Sequence, residues 1–240
     1  MTICPRVLLD DEAILAVDKP AGLLVAPDRY DKNAPHLMAW VHREFGPTVF
    51  NVHRLDRDTS GAVLCAKTKA ALDDLSLQFE RGEVDKEYVA LVRGRPPAHQ
   101  GTIDRPIVVD LEHPGRMKAA RRGKQAITVY EVVERFRGYS WLRLRPKTGR
   151  THQLRVHLQY IGCPIVADPW YGDGRPLLLS EIKRGYKPPR EGERPLLSRL
   201  ALHAHRLTFR HPLRGDQIVV ESPIPKEMDA ALKQLRKWAA

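Results

Sequence analysis

The feature that most limits what this chain can fold into is a set of short extended runs, of which "AITVYEVVERF" and "SWLRLRP" are the clearest. In the second, Leu142 and Leu144 alternate with Trp141, Arg143 and Arg145, the period-two pattern of a strand with one apolar face and one face carrying arginine. The two runs read as paired strands. "KEYVALVRG", around Tyr88, is apolar on both faces, as expected for a strand inside a sheet. Further strand readings fall on "AILAVDK" at residues 13–19, "LLVAP", "TVFNVHRL", "AVLCAK", "RLALHAHRLTFRHP" and "DQIVVESPIP".

Helical spacing is confined to a few places. Within residues 34–45, Leu37, Trp40 and Val41 share a face. Thr68 suits the N-cap of a helix bearing Leu72, Leu75 and Phe79, and Gly82 can end it in the left-handed conformation. Thr151 suits the N-cap of "HQLRVHLQYIG", with Leu154, Leu158 and Ile161 as the buried stripe and His152, Arg155 and Gln159 on another face. A terminal helix carries Met228, Leu232, Leu235 and Trp238 on one side. This mixture predicts an α+β fold with a large, mixed, mostly antiparallel sheet flanked by helices.

A chain of 240 residues, 42% of them hydrophobic, can bury a substantial core, so residues 1–240 are expected to form a single domain, with two closely packed lobes allowed. Residues 173–195, rich in proline, glycine and charge, read as a surface loop or insertion. "GRMKAARRGKQ" reads as a mobile arm or hairpin whose composition suits phosphates.

The formal net charge is +11, and basic residues cluster at 116–124, 143–155 and 183–194. Such an excess favours a polyanion, most often nucleic acid, although a solubilising surface is the plainer explanation. No signal-like segment opens the chain and no apolar run approaches membrane-spanning length, so a cytoplasmic protein without membrane contact is expected. Cys4, Cys65 and Cys163 are widely spaced and form no CxxC pair, which argues against disulfides or a zinc knuckle.

Metal and cofactor signals are weak. His152 and His157 are five apart, the wrong rotation for a helical zinc pair, and His203 and His205 have no acid or cysteine nearby at ligand spacing. No phosphate-cradling glycine loop and no GxSxG elbow occurs. Neither a metal nor a cofactor is expected.

What remains is a carboxylate among cations, and "NVHRLDRDTSGAVLCAK" holds the strongest instance. Asp58 to Gly61 fits a type I turn with aspartate at its first position and glycine at its fourth. Asp56 then stands at the end of an incoming strand on the side of Arg54, free to act as nucleophile or base. A surface ion pair is the alternative use of such neighbours, and spacing alone favours Asp56 over Asp58 only weakly.

Taken together, "VDKPAGLLV", "HRLDRDTSG", "KEYVALVRG", "KTGRTHQLRVHL", "GCPIVADPWYG" and "RLALHAHRLTFRHP" resemble, in order, the motifs of the RluA-type RNA pseudouridine synthases, from about residue 8 to 225. The resemblance implies a mixed sheet flanked by helices, with the active-site cleft across its middle. It makes Asp56 the catalytic aspartate, with Arg150 pairing with its carboxylate. Tyr88 packs against the target base and takes part in proton removal, and Arg54 enters the RNA stack where the uridine leaves it. The neighbouring motif residues His53, Arg57, Lys147, Thr148, Gly149, Thr151, His152 and Arg155 are expected at the RNA.

The implied reaction isomerises uridine in ribosomal or transfer RNA, needs no cofactor, and requires the nucleotide to leave its stack. A monomer without an obligate protein partner is expected. The chain departs from the family pattern in two ways. KPAG begins by residue 19, leaving no room for a preceding S4 RNA-binding domain, and Ala167-Asp168 stands where the family has Gly-Asp. The competing reading is a catalytically silent relative that holds or remodels RNA, and a metal-dependent nuclease lacks the clustered acids it would need.

Overall fold

The structure is a computed structural model that describes residues 4–27 and 34–240. In chain order the elements are β1 (Arg6–Asp10), β2 (Ile14–Lys19), α1 (Leu37–Phe45), β3 (Phe50–Asn51), β4 (Ser60–Ala66), α2 (Lys69–Arg81), β5 (Asp85–Arg93), β6 (Gln100–Asp104), β7 (Ile107–Val109), β8 (Met117–Ala119), β9 (Ile127–Phe136), β10 (Tyr139–Pro146), α3 (Gln153–Tyr160), α4 (Leu179–Ile182), β11 (Leu202–Arg210), β12 (Gln217–Glu221) and α5 (Lys226–Trp238). They fall into two compact units. One comprises Met1–Glu87 with His203–Pro223, the other Tyr88–Leu202 with Ile224–Ala240.

The first unit is built on β1, β2, β4 and β11 side by side, with β3 beside β4 and β12 beside β11. Every residue of β4 is buried, as a central strand of apolar and small residues should be. β4 pairs antiparallel with β2 and parallel with β11, where Ala204 meets Gly61. That meeting requires glycine. Gly61 has φ 120°, and a methyl there would lie 2.6 Å from the backbone nitrogen of Ala204 and closer still to its carbonyl oxygen.

Helix α2 forms as its sequence predicts: Thr68 accepts from the Ala71 amide at 3.2 Å, and Gly82 closes it at φ 74°. Leu75 is buried, an exclusion from water that contributes about 2 kcal/mol. Gln78 is buried too. Its amide group donates to the Arg210 carbonyl and accepts from the Arg210 amide, both at 2.9 Å, which satisfies the helix side chain and the strand backbone together.

The second unit carries β5, β10, β9 and β6 in that order, all antiparallel, with Tyr88 opposite Leu144. Its core includes Leu91, Leu142 and Leu144 from the sheet and Met228, Leu232 and Leu235 from α5. The hairpin β7–β8 forms a separate two-stranded sheet. It is a packed element: Ile107, Ala126, Val156 and Tyr171 form a small core against which Met117 and Ala119 rest.

Several expectations are corrected. "LLVAP" forms a single bridge, Leu24 with His36, and the first helix starts at Leu37. "TVFNVHRL" is a strand only at Phe50–Asn51, so the alternation used to place Arg54 beside Asp56 does not apply. Residues 173–195 are not wholly a surface loop, because Leu177 and Ile182 are buried in the core of their unit. The edge strands β1 and β6 carry little strand signal in the sequence, being short, partly exposed and mixed in polarity.

Candidate active site

In the first unit, residues 52–59 form a loop with both ends anchored. At its entry, the ring of His53 stacks on Phe79 with centroids 4.8 Å apart, and its Nε2 accepts from the Leu64 amide at 3.0 Å. A nitrogen that accepts is unprotonated, so His53 is neutral. Burial, and then the nearby Lys86 ammonium, push its pKa down to about 4. His53, expected at the RNA, is thus engaged with its own unit.

At its exit, Ser60 Oγ lies 2.9 Å from Nδ1 of His203, whose Nε2 lies 3.2 Å from the Ser222 carbonyl. A carbonyl only accepts, so Nε2 carries a proton and the ring bridges Ser60 to Ser222. Between the two anchors the Thr59 amide donates to the Asp56 carbonyl at 3.2 Å, making Asp56 the first residue of a turn through Arg57 and Asp58. The turn expected at Asp58–Gly61 therefore sits two residues earlier, because Ser60 and Gly61 are already in β4. Leu55 is buried, Asp56 and Asp58 are half-buried, and Arg54 and Arg57 are exposed.

Sequence reasoning missed the residue that holds this turn. Lys19, at 0% exposure, donates to the carbonyls of Pro20 (2.9 Å), Leu23 (2.6 Å) and Arg57 (2.9 Å). The Gly22 amide also donates to the Arg57 carbonyl at 2.9 Å, and Arg57 Nε donates to the Gly22 carbonyl at 3.2 Å. A buried ammonium is tolerated only when its protons are met in this way, and here they stitch the Lys19–Gly22 turn to the residue after Asp56. The available signal was a lysine ending an apolar strand.

The second unit holds Tyr88, half-buried on β5, and the turn Lys147–Arg150 that follows β10. Its organiser is Gln153, buried at the start of α3. Gln153 Oε1 accepts from Thr148 Oγ1 at 2.7 Å and from the Arg150 amide at 3.0 Å, while its Nε2 donates to the Ile127 carbonyl and Thr128 Oγ1, both at 3.0 Å. Thr148 Oγ1 accepts from the Ile127 amide at 3.0 Å, and Lys147 donates its amide to the Ile127 carbonyl at 2.9 Å. Arg150 Nε donates to the Gln125 carbonyl at 2.9 Å and its side chain is exposed. Lys147, Gly149 and Thr151 are exposed as well.

Helix α3 departs from its sequence reading. His152, not Thr151, precedes it, in the left-handed conformation at φ 55° and without a side-chain cap. Tyr171 accepts from the Met117 amide at 2.8 Å and lies 2.8 Å from His152 Nδ1, joining the β7–β8 hairpin to the start of the helix.

Arg155 is the clearest correction: it is 4% exposed and meets the carboxylate of Asp168 at two points, so it is not on an RNA-facing surface. The helix is buried all round from Gln153 to Leu158, so polarity does not mark a solvent face. His157 illustrates the same point. Its Nε2 donates to the Arg105 carbonyl at 3.0 Å, its Nδ1 faces Thr128 Oγ1 at 2.9 Å, and burial lowers its pKa.

Ala167 has φ 57°, the left-handed region that favours glycine. This is the physical content of the Gly-Asp to Ala-Asp departure: alanine stands in a conformation that glycine adopts without strain. Two carboxylate–histidine groupings occur among the described residues, Asp11–Glu12–His211 and Asp110–Glu112–His113; His211 lies in the motif "RLALHAHRLTFRHP", but none of these residues is among those expected at the site.

Residues 13–160 match the family described as RNA pseudouridylate synthase. The ribosomal large subunit pseudouridine synthase D of Xanthomonas campestris pv. campestris is 37% identical over 248 residues, covering 98% of this chain and 70% of the relative. The dual-specificity RNA pseudouridine synthase RluA of Escherichia coli K12 is 37% identical over 220 residues, covering 90% and 92%. Among solved structures, human RNA pseudouridylate synthase domain containing 4 superposes with a TM-score of 0.72 at 25% identity, covering 96% of this chain and 93% of that one. No described helix is long and apolar enough to cross a membrane. With its α+β fold, its ordered motifs and relatives at 37% identity covered to 70% and 92% of their length, the chain belongs to the RluA-type RNA pseudouridine synthases, isomerases that act on RNA.

Proposed function

We propose that this chain converts specific uridines of ribosomal or transfer RNA to pseudouridine, with Asp56 as the catalytic carboxylate. The observation that carries the reading is the double anchoring of the loop around Asp56, with Lys19 fastening the next residue's carbonyl. A carboxylate held this way costs little further ordering when the substrate arrives.

The reaction breaks the C1′–N1 bond, turns the uracil, forms C1′–C5, and moves one proton from C5 to N1, so atoms and redox state balance within the substrate. Attack at C1′, addition at C6 and abstraction of a ribose proton all use one carboxylate in one place. In this reading Arg54, exposed at the start of the loop, fills the stack left by the flipped nucleotide, whose extrusion costs roughly a few kcal/mol. Tyr88 supplies a ring for the base, and Arg150 a guanidinium for the carboxylate or the detached uracil. Lys147, Thr148, Gly149 and Thr151 contact the RNA near Arg150. The protein works as a monomer in the cytoplasm and needs no cofactor.

Primer extension after carbodiimide treatment, on RNA from cells with and without the gene, tests the reading. One or more stops that vanish with the gene are expected; an unchanged pattern across ribosomal and transfer RNA contradicts it.

A further inference from the structure

The C-terminal end of α5 carries positive charge that the chemistry above does not use. The ammonium of Lys183 lies 4.3 Å from the centroid of the Trp238 ring and that of Lys237 lies 4.9 Å from it. Lys183 is also 5.7 Å from the ring of Tyr186. Arg137, between β9 and β10, donates to the carbonyls of Ile182 at 2.6 Å and Trp238 at 3.4 Å. Arg184, Lys187 and Arg190 follow in the same segment, all exposed.

Most carboxylates of these segments are committed elsewhere, the exposed Glu191 being the exception. Glu134 pairs with Arg236, Asp229 with Lys233, Glu181 with Arg93 and Tyr139, and Glu193 accepts from the Ser180 amide. Among the described residues no ion pair involves Lys183, Lys237 or Arg137.

Part of this has an ordinary explanation. A cation in the last turn of a helix opposes the negative end of its dipole, and an ammonium is attracted to an indole face. These effects account for Lys237. With the exposed Arg184, Lys187 and Arg190 that follow Lys183, the surface still carries positive charge that no ion pair among the described residues neutralises. An ammonium resting on a ring keeps outward N–H groups, and phosphate oxygens accept from them.

We infer that Lys183, Lys237 and Arg137, around Trp238, form a second RNA contact, made to the phosphate backbone of a folded RNA and separate from the residues proposed for catalysis. The inference rests on reading the chain as an RNA-modifying enzyme. Its reach follows from β10. Arg137 precedes that strand and the Lys147–Arg150 turn follows it, so at about 3.3 Å per residue the two lie roughly 25 Å apart. A trinucleotide bound near Arg150, roughly 10 Å long at about 3.4 Å per nucleotide, does not reach Trp238, whereas a stem of about ten or more base pairs does.

The test compares the wild type with the Lys183→Ala, Lys237→Ala double variant by fluorescence anisotropy over a range of KCl. The probes are a labelled hairpin RNA with a stem of about 25 base pairs and a labelled trinucleotide. For the hairpin, the slope of log K against log salt should fall by about 2 and affinity by about tenfold, with the trinucleotide unchanged and the Lys→Arg pair restoring binding. An unchanged hairpin slope, equal losses on both probes, or a wild type without salt-dependent hairpin binding overturns the inference.

Pseudouridine formation is measured separately on cellular RNA. A patch that binds as stated in a protein that forms no pseudouridine defeats the enzyme reading alone. Pseudouridine formed with an unchanged slope defeats the patch alone.

Discussion

Arg155 and Asp168 form a buried two-point ion pair, with Nε to Oδ2 at 2.8 Å and Nη2 to Oδ1 at 2.7 Å. The same carboxylate accepts from the amides of Trp170 at 2.9 Å and Tyr171 at 3.0 Å, so one buried aspartate fixes both α3 and the Trp170–Tyr171 turn. The guanidinium lies 4.9 Å from the Tyr171 ring. Removing one partner leaves a buried charge without its counter-charge. Arg155→Ala should therefore lower unfolding stability by about 3–5 kcal/mol in urea titrations, without reducing the salt slope of RNA binding at a temperature where the variant is folded. A stable variant with a reduced slope would return Arg155 to the RNA.

Ala167 offers a gain in stability. Its left-handed backbone costs an L-residue roughly 1–2 kcal/mol; glycine removes that cost, and the greater entropy of its unfolded chain offsets part of the gain. Ala167→Gly should stabilise the protein by about 0.5 kcal/mol, seen as a small rise in Tm, with modification activity unchanged. A fall in Tm would mean that the alanine methyl makes contacts worth more than the strain.

Gly61 predicts the opposite. Gly61→Ala places a methyl inside the van der Waals distance of the Ala204 backbone, where no flexible side chain can give way. The parallel pairing of β4 with β11 should be lost, at about 4 kcal/mol or more. Circular dichroism of a soluble, natively folded variant would contradict this.

His53 makes stability depend on pH in a known direction. Its folded pKa is depressed to about 4 from an ordinary 6.5. The unfolded chain therefore takes up a proton first as pH falls, so the contribution is fully present above about pH 6.5 and is lost as pH falls toward 4. The ring resonances of His53 should titrate near 4 by NMR, and His53→Gln should flatten this part of the stability profile. A midpoint above 6 would place the ring in solvent.

Much of this architecture is legible locally. Thr68 and Gly82 mark α2 because both signals act within one turn of their own helix, and β9 and β10 are legible because their apolar residues alternate along much of each strand, although Trp141, on the arginine side of β10, is itself buried. Asp56 is legible through its motif, but its turn is not, since Ser60 and Gly61 are drawn into β4 by pairing with residues more than 140 positions away. Arg155, Gln153 and Lys19 are misread or missed for one reason. Each is a polar side chain whose partners, Asp168, Thr128 and Arg57, lie elsewhere in the chain, and polarity in sequence reports exposure only when no such partner exists.

The most direct test of the central claim is single-turnover pseudouridine formation by the purified protein on its mapped RNA, comparing the wild type with Asp56→Asn. The account predicts RNA binding within about twofold of wild type and a rate lower by about four orders of magnitude, because the variant lacks the one group asked to do the chemistry. Pseudouridine formed by Asp56→Asn at near the wild-type rate would contradict it.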